Sequence, residues 1–330
     1  MPNGRRDIQT CDSRMAFRVF QTILLSLIPV AFVALLGYMA ARGKFLQATE
    51  RALITKLVMT WLLPPLLLAG ILRTPRADLL DYKIPLIFLV GLMAPYLVVL
   101  LGCRFVLRYD QRTAALKASL VAFPDMVFMG IPVLGQLFGP SSLFPILIAN
   151  LVPTLIIVPL TTVLLDLGSA SGKNGGNQVF LKIMVRAVRE PRVWAPFIGA
   201  VLVILNVRIP EVAINSLNLI GDATTGLSLF VVGLIIAEEK VRVTAAVVGD
   251  VVFKSLLQPA AMLATVYAFG VTGTLAREAV LLTAIPSAVI TTMFAQEYGI
   301  LTSESSTTIL ATRVLSLVTI PIVYVLTRNS

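Results

Sequence analysis

Ten apolar runs, separated by short polar connections, take up most of this 330-residue chain. They lie near residues 19–41, 53–72, 84–107, 114–138, 142–165, 193–207, 212–237, 244–270, 276–296 and 305–327, most of them close to the ~20 residues an apolar helix needs to cross a bilayer. Hydrocarbon supplies no water to satisfy backbone N–H and C=O groups, so such runs must pair them internally. The pattern predicts an all-α membrane protein. Composition agrees, with 57% apolar and 13% charged residues where a soluble domain carries about 25% charged. A soluble enzyme, a nucleic-acid binder and a secreted disulfide scaffold are excluded. Cys11 and Cys103 form no metal or redox spacing. With no histidine in the chain, Ser–His and Cys–His catalysis are ruled out, and proton chemistry falls to carboxylates. No Walker-type phosphate loop is present. The chain reads as a non-enzyme without cofactor or metal.

The connections organise the runs into domains. Residues 1–18 form a basic N-terminal segment, 19–166 a first set of five spans, 167–190 a linker, and 191–327 a second set of five. The first run is too long for the apolar part of a cleaved signal peptide and ends at Arg42-Gly43-Lys44, so it is read as retained. The linker opens with a Gly- and Ser-rich stretch from Gly168 to Gly176. It continues as a basic amphipathic helix over 179–189, with Lys182, Arg186 and Arg189 opposite Phe180, Ile183, Met184 and Val188. Of the 27 Lys and Arg residues, 15 fall in connections on the linker side and 10 on the opposite side, including both termini. The positive-inside rule then puts the linker in the cytoplasm and both termini outside, in the inner (cytoplasmic) cell membrane.

Five spans, a linker and five spans suggest an inverted repeat, which shows in sequence as matching interruptions in the two halves. Span 4 carries Ala122-Phe-Pro-Asp125 and continues to Gly130-Ile-Pro132; span 9 carries Ala284-Ile-Pro-Ser287. With an odd number of spans per half the repeats are antiparallel, so the breaks at Pro124, Pro132 and Pro286 are expected to meet near the bilayer midplane. Proline frees a backbone carbonyl, and freed groups at that depth need protein or a water-filled cavity around them. A polar cavity lined by residues around Pro124–Pro132 and Pro286–Ser287 is the expectation.

Phe123-Pro-Asp-Met-Val-Phe-Met-Gly-Ile-Pro-Val-Leu-Gly-Gln-Leu-Phe-Gly139 resembles the fourth-helix signature of the auxin efflux carrier family, which includes the plant PIN-FORMED proteins and bacterial malonate transporters. Ile54-Thr-Lys-Leu-Val58 with Leu63-Pro-Pro-Leu-Leu67 is similar to the family's second helix. Gly221-Asp222 with Leu229-Phe230 and Gly233-Leu234 is similar to its seventh, and Ala284-Ile-Pro-Ser287 with Phe294-Ala-Gln-Glu-Tyr-Gly299 to its ninth. The resemblance implies ten transmembrane helices in two inverted five-helix repeats with crossed broken helices 4 and 9, related to bile-acid symporters and sodium/proton antiporters, and elevator-type alternating access. Asp125 stands where the plant carriers have Asn, and the central loop is short, which separates this chain from auxin recognition.

A charge at the centre of a span costs about 2.5–3.5 kcal/mol, so each needs a partner or a purpose. Asp125 is the expected ion-coupling group, for protons or sodium, and part of the substrate site. Asp222 lies in a polar, small-residue stretch from Asn218 to Ser228, where close helix packing and ion coupling both remain open. Asp250 and Lys254, four apart in span 8, fit a neutralising pair along one helix. Arg313 has no acidic neighbour at helical spacing and calls for a partner on another helix or a substrate anion. Gly130, Pro132, Asn150, Pro286, Ser287, Thr291, Arg313 and Lys254 join Asp125 as candidate substrate-binding residues. The expected function is secondary transport of a small mono- or dicarboxylate such as malonate. A channel or sensor of small anions is the alternative, and an intramembrane enzyme the weaker rival. A small carboxylate and the lipid bilayer are the expected partners, with a homodimer as a further expectation.

Overall fold

The computed structural model describes residues 28–29, 31–167, 185, 191–237 and 242–327. The 1–18 segment, the outer part of the first run and, except at positions 167 and 185, the linker and amphipathic helix of 167–190 lie outside the described residues. Helices account for the described architecture: α1 (Ala31–Arg42), α2 (Thr49–Leu72), α3 (Lys83–Val106), α4 (Gln111–Ala122), α5 (Met126–Phe138), α6 (Pro140–Asp166), α7 (Pro191–Ile204), α8 (Glu211–Ile236), α9 (Ala245–Ala268), α10 (Thr274–Ala284), α11 (Ile290–Glu297) and α12 (Thr302–Leu326). Six of these, α2, α3, α6, α8, α9 and α12, are long and apolar enough to cross a bilayer.

The helix boundaries follow local chemistry. Asp110 caps α4 by accepting the Arg112 and Thr113 amides at 3.1 Å each, and hydrogen bonds, first from the Thr113 side chain, hold its carboxyl below the usual carboxylate range. Thr244 caps α9 in the same way through the Val247 amide. Gly139, Gly270, Gly273 and Gly299 take positive φ in the connections, a conformation open to glycine without steric cost. Proline leaves a different mark inside the spans. Five-residue π turns occur at Val58–Leu62, Met126–Gly130 and Phe253–Leu257, each followed two residues later by a proline, and at Pro153–Ile157, which begins with one; a fifth, Gly102–Val106, has no proline beside it. A missing N–H lets the preceding turn widen without losing a bond it could have kept.

Two helical groups form. In one, α2 packs against α7 and α8, while α1 meets α8 at glycines. A Cβ at Gly37 would fall 2.0 Å from the Phe230 carbonyl oxygen, and one at Gly233 would fall 1.9 Å from that of Ala34, so the two backbones touch. The other group holds α3, α4, α6, α9, α10, α11 and α12, with α4 between α3 and α6, α10 against α9 and α12, and α11 against α4 and α12. The α5 segment joins the groups, since its first turn packs on both α6 and α8.

Candidate functional site

Spans 4 and 9 are both broken, as their sequences predict, and the breaks meet. The Asp125 amide donates to the Pro286 carbonyl at 2.7 Å and the Ala288 amide to the Phe123 carbonyl at 2.8 Å, so Pro124 and Ser287 pair as an antiparallel bridge between two extended strands of chain. Half-helices α4 and α10 end at this point and α5 and α11 begin from it.

Each half-helix that ends here leaves carbonyls without an intrahelical donor, and α9 supplies the missing groups. Lys254 donates to the Thr283 carbonyl of α10 at 3.2 Å and to Gln258 Oε1 at 2.5 Å. The Gln258 amide in turn donates to the Ala122 carbonyl of α4 at 3.0 Å. This corrects two expectations. The crossing is closely packed rather than an open polar cavity, with Asp125, Lys254, Ser287 and Arg313 all below 5% exposed, because side chains and the reciprocal bridge satisfy the freed backbone in place of water. Asp250 and Lys254 also do not pair. The π turn at Phe253–Leu257 starts between them, Lys254 turns to the crossing, and Asp250 takes a 2.9 Å ion pair from Lys117 of α4.

At the start of α5, Asp125 sits on the helix N-terminus and accepts the Phe128 amide at 3.3 Å. Its other oxygen takes a 3.2 Å bond from Arg313 Nη2 on α12. Arg313 therefore has the interhelical acid its isolation required. Its Nε and Nη1 have no hydrogen-bond partner among the described residues, nor do the buried hydroxyls of Ser287 and Thr292. Thr291 places its hydroxyl on the Ala288 carbonyl at 2.7 Å. Thr312, next to Arg313, accepts the Ser287 amide at 3.4 Å. Gly130 and Pro132 are buried in the first turns after the break, and Asn150 is half-buried on α6, whose first part packs against residues 126–130. Asp222 is exposed on α8, with no hydrogen bond or ion pair to the crossing among the described residues.

Several polar residues escaped the sequence reading. Lys117 is 3% exposed and shared between Asp250 and Glu304, the latter at 3.4 Å. A mostly apolar cavity of about 500 Å³ opens beside this pair, between α3, α4 and α9. Gln258 lies one helical turn beyond Lys254. Its position four residues on was the available signal, but only the fold shows that both side chains cap broken helices.

Comparison with known proteins agrees with this architecture. Residues 22–324 match the family described as Membrane transport protein. The chain is 29% identical over 240 residues to "Uncharacterized transporter YfdV" of Escherichia coli (strain K12), covering 72% of this chain and 76% of that protein. It is also 29% identical over 133 residues to "Auxin efflux carrier component 8" of Arabidopsis thaliana, covering 38% of this chain and 36% of the relative. "Probable auxin efflux carrier component 5a" of Oryza sativa subsp. japonica is 27% identical over 139 residues, covering 40% and 38%. A chain of apolar helices, with two broken segments hydrogen-bonded to each other at their breaks, thus belongs to the membrane transport protein family that takes in the auxin efflux carriers.

Proposed function

We propose that this chain is a secondary transporter of a small organic anion, a mono- or dicarboxylate of malonate-like size, with the crossing as its substrate site. One observation carries the reading. Arg313 is buried, pairs with Asp125 through Nη2 alone and keeps its other two nitrogens unpaired among the described residues. In a medium of low dielectric a guanidinium with free donors attracts an anion strongly. The interrupted spans are read as equivalent parts of two inverted five-helix repeats, ten spans in all, in the cytoplasmic membrane with both termini outside. Alternating access is read as an elevator motion of the α3, α4, α6 and α9–α12 group, with α5, against the α1, α2, α7 and α8 group. Asp125 is the proposed coupling group for a proton or sodium ion, being the carboxylate that pairs with Arg313 at the crossing; Asp222, exposed on α8, is the second candidate.

Purified protein in proteoliposomes tests the reading. Labelled carboxylates should enter under an imposed proton or sodium gradient, and internal unlabelled substrate should accelerate exchange. Asp125→Asn should keep exchange and lose uphill accumulation. Flux without exchange acceleration would make the protein a channel, and uphill accumulation by the Asn variant would remove Asp125 from coupling.

A further inference from the structure

The cavity beside the Lys117–Asp250 pair lies where two long apolar helices end side by side, at the last turns of α3 and the first turns of α9. Three residues of its wall, Val98, Val106 and Leu107, are also exposed on the outer surface, and Val248 and Val252 of α9 continue that apolar face. The cavity is therefore open on a side that a multi-pass membrane protein turns to lipid. Its inner end is closed to a charged guest, because Lys117 already faces two carboxylates, Asp250 at 2.9 Å and Glu304 at 3.4 Å, and has no spare charge for an anion. Water is a poor occupant as well, since it needs about two to four polar partners, while an empty hollow forfeits the dispersion contacts of its walls. An apolar chain fits. The rim has the opposite preference. Arg104 is exposed and donates to the carbonyl of Tyr109, a wall residue, at 3.2 Å, and Arg108 is exposed between the wall residues Leu107 and Tyr109. Asp110, the carboxylate of this turn, is bonded to the α4 amides. Two cations thus stand at the end of an apolar helix, where basic residues attract anionic lipid headgroups.

We propose that this is a binding site for an anionic phospholipid of the surrounding bilayer, with one acyl chain in the cavity between α3, α4 and α9 and the phosphate against Arg104 and Arg108 at its rim. The apolar wall selects a lipid over a free phosphate, and the two guanidinium groups select an anionic headgroup over a zwitterionic one. The site shares no residue with the crossing, so it stands apart from the transport reading.

The test uses purified full-length protein in detergent and its thermal stabilisation by three probes, dioleoyl phosphatidylglycerol, dioleoyl phosphatidylcholine and glycerol phosphate. Phosphatidylglycerol should stabilise at a concentration about tenfold lower than phosphatidylcholine, and glycerol phosphate should have no effect. Nothing lies within 4 Å of a Cβ at Gly102 or Gly249, both in the cavity wall, so Gly102→Leu and Gly249→Phe fill the space without displacing a neighbour and should abolish the phosphatidylglycerol response. Replacing Arg104 and Arg108 together by Gln should keep a response to lipid and lose the preference for the anionic one. Cys103 also lines the cavity, and with Cys11→Ser it is the one thiol left in the chain; phosphatidylglycerol should slow its alkylation by N-ethylmaleimide, a readout that holds even if the filled variants do not fold. Stabilisation of the filled variants equal to wild type, or an alkylation rate untouched by lipid, would overturn the site. Equal response of wild type to both lipids would overturn the anionic assignment, and a response to glycerol phosphate matching that to phosphatidylglycerol would make this a phosphate site and not a lipid one.

Discussion

Asp125 and Arg313 are oppositely charged, buried and 3.2 Å apart, and neither can be removed without leaving the other buried without its counter-charge. Breaking such a pair costs about 3–5 kcal/mol. Asp125→Ala and Arg313→Gln should therefore each lower the thermal unfolding midpoint of the purified protein, while the double variant loses clearly less than the sum; an additive double variant would mean the pair contributes nothing. Lys117 presents the same physics with the signs reversed, as one ammonium serves both Asp250 and Glu304. Lys117→Met leaves two carboxylates facing each other without a cation and should destabilise by a similar amount. Adding Asp250→Asn to it should restore part of the loss, which unfolding of the double variant would show.

Among the helices, the contact of α1 with α8 depends on missing side chains. Ala34 and Phe230 carbonyls occupy the space a Cβ would need at Gly233 and Gly37, whereas nothing lies within 4 Å of a Cβ at Gly226. Gly233→Ala should force the two helices apart and lower stability. Gly226→Ala on the same helix should be neutral or stabilising, by up to about 1 kcal/mol from helix propensity; equal effects at both positions would rule out the packing explanation. The cap of α4 gives a pH-dependent case. The Asp110 carboxyl is held below its ordinary value by hydrogen bonds, so its stabilisation is fully present above the unfolded value of about 3.9 and lost as pH falls through the folded one. Asp110→Asn, a residue that caps equally well, should remove this component from the acid limb of a stability–pH curve and leave neutral-pH stability nearly unchanged.

At the scale of the molecule, the two helical groups give the elevator reading a mechanical test. Gly221 of α8 and Leu66 of α2 belong to the same group, with a Cβ at Gly221 3.8 Å from that of Leu66, inside the range a disulfide spans. Gly70 of α2 and Leu143 of α6 belong to different groups, and their Cβ atoms would be 2.8 Å apart before relaxation. Oxidising Gly221→Cys/Leu66→Cys should leave exchange in proteoliposomes unaffected, whereas oxidising Gly70→Cys/Leu143→Cys should arrest it reversibly. Exchange that survives the second cross-link would show that the groups do not move past each other there.

The sequence alone determined that the chain is helical and apolar enough for a multi-pass membrane protein, and that the chain breaks at Pro124 and Pro286. Those properties follow from hydrophobic run length and from proline's missing N–H, both carried by consecutive residues. Which charges meet was settled only by the fold. Asp250 passes over Lys254, four residues away, for Lys117 on another helix, and Lys254 and Gln258 close helix ends far from them in sequence. Arg313 finds Asp125 across 188 positions. Helical spacing says which residues share a face, but a π turn can shift that face and a buried ion chooses the nearest opposite charge in space, which becomes defined only when the broken helices cross.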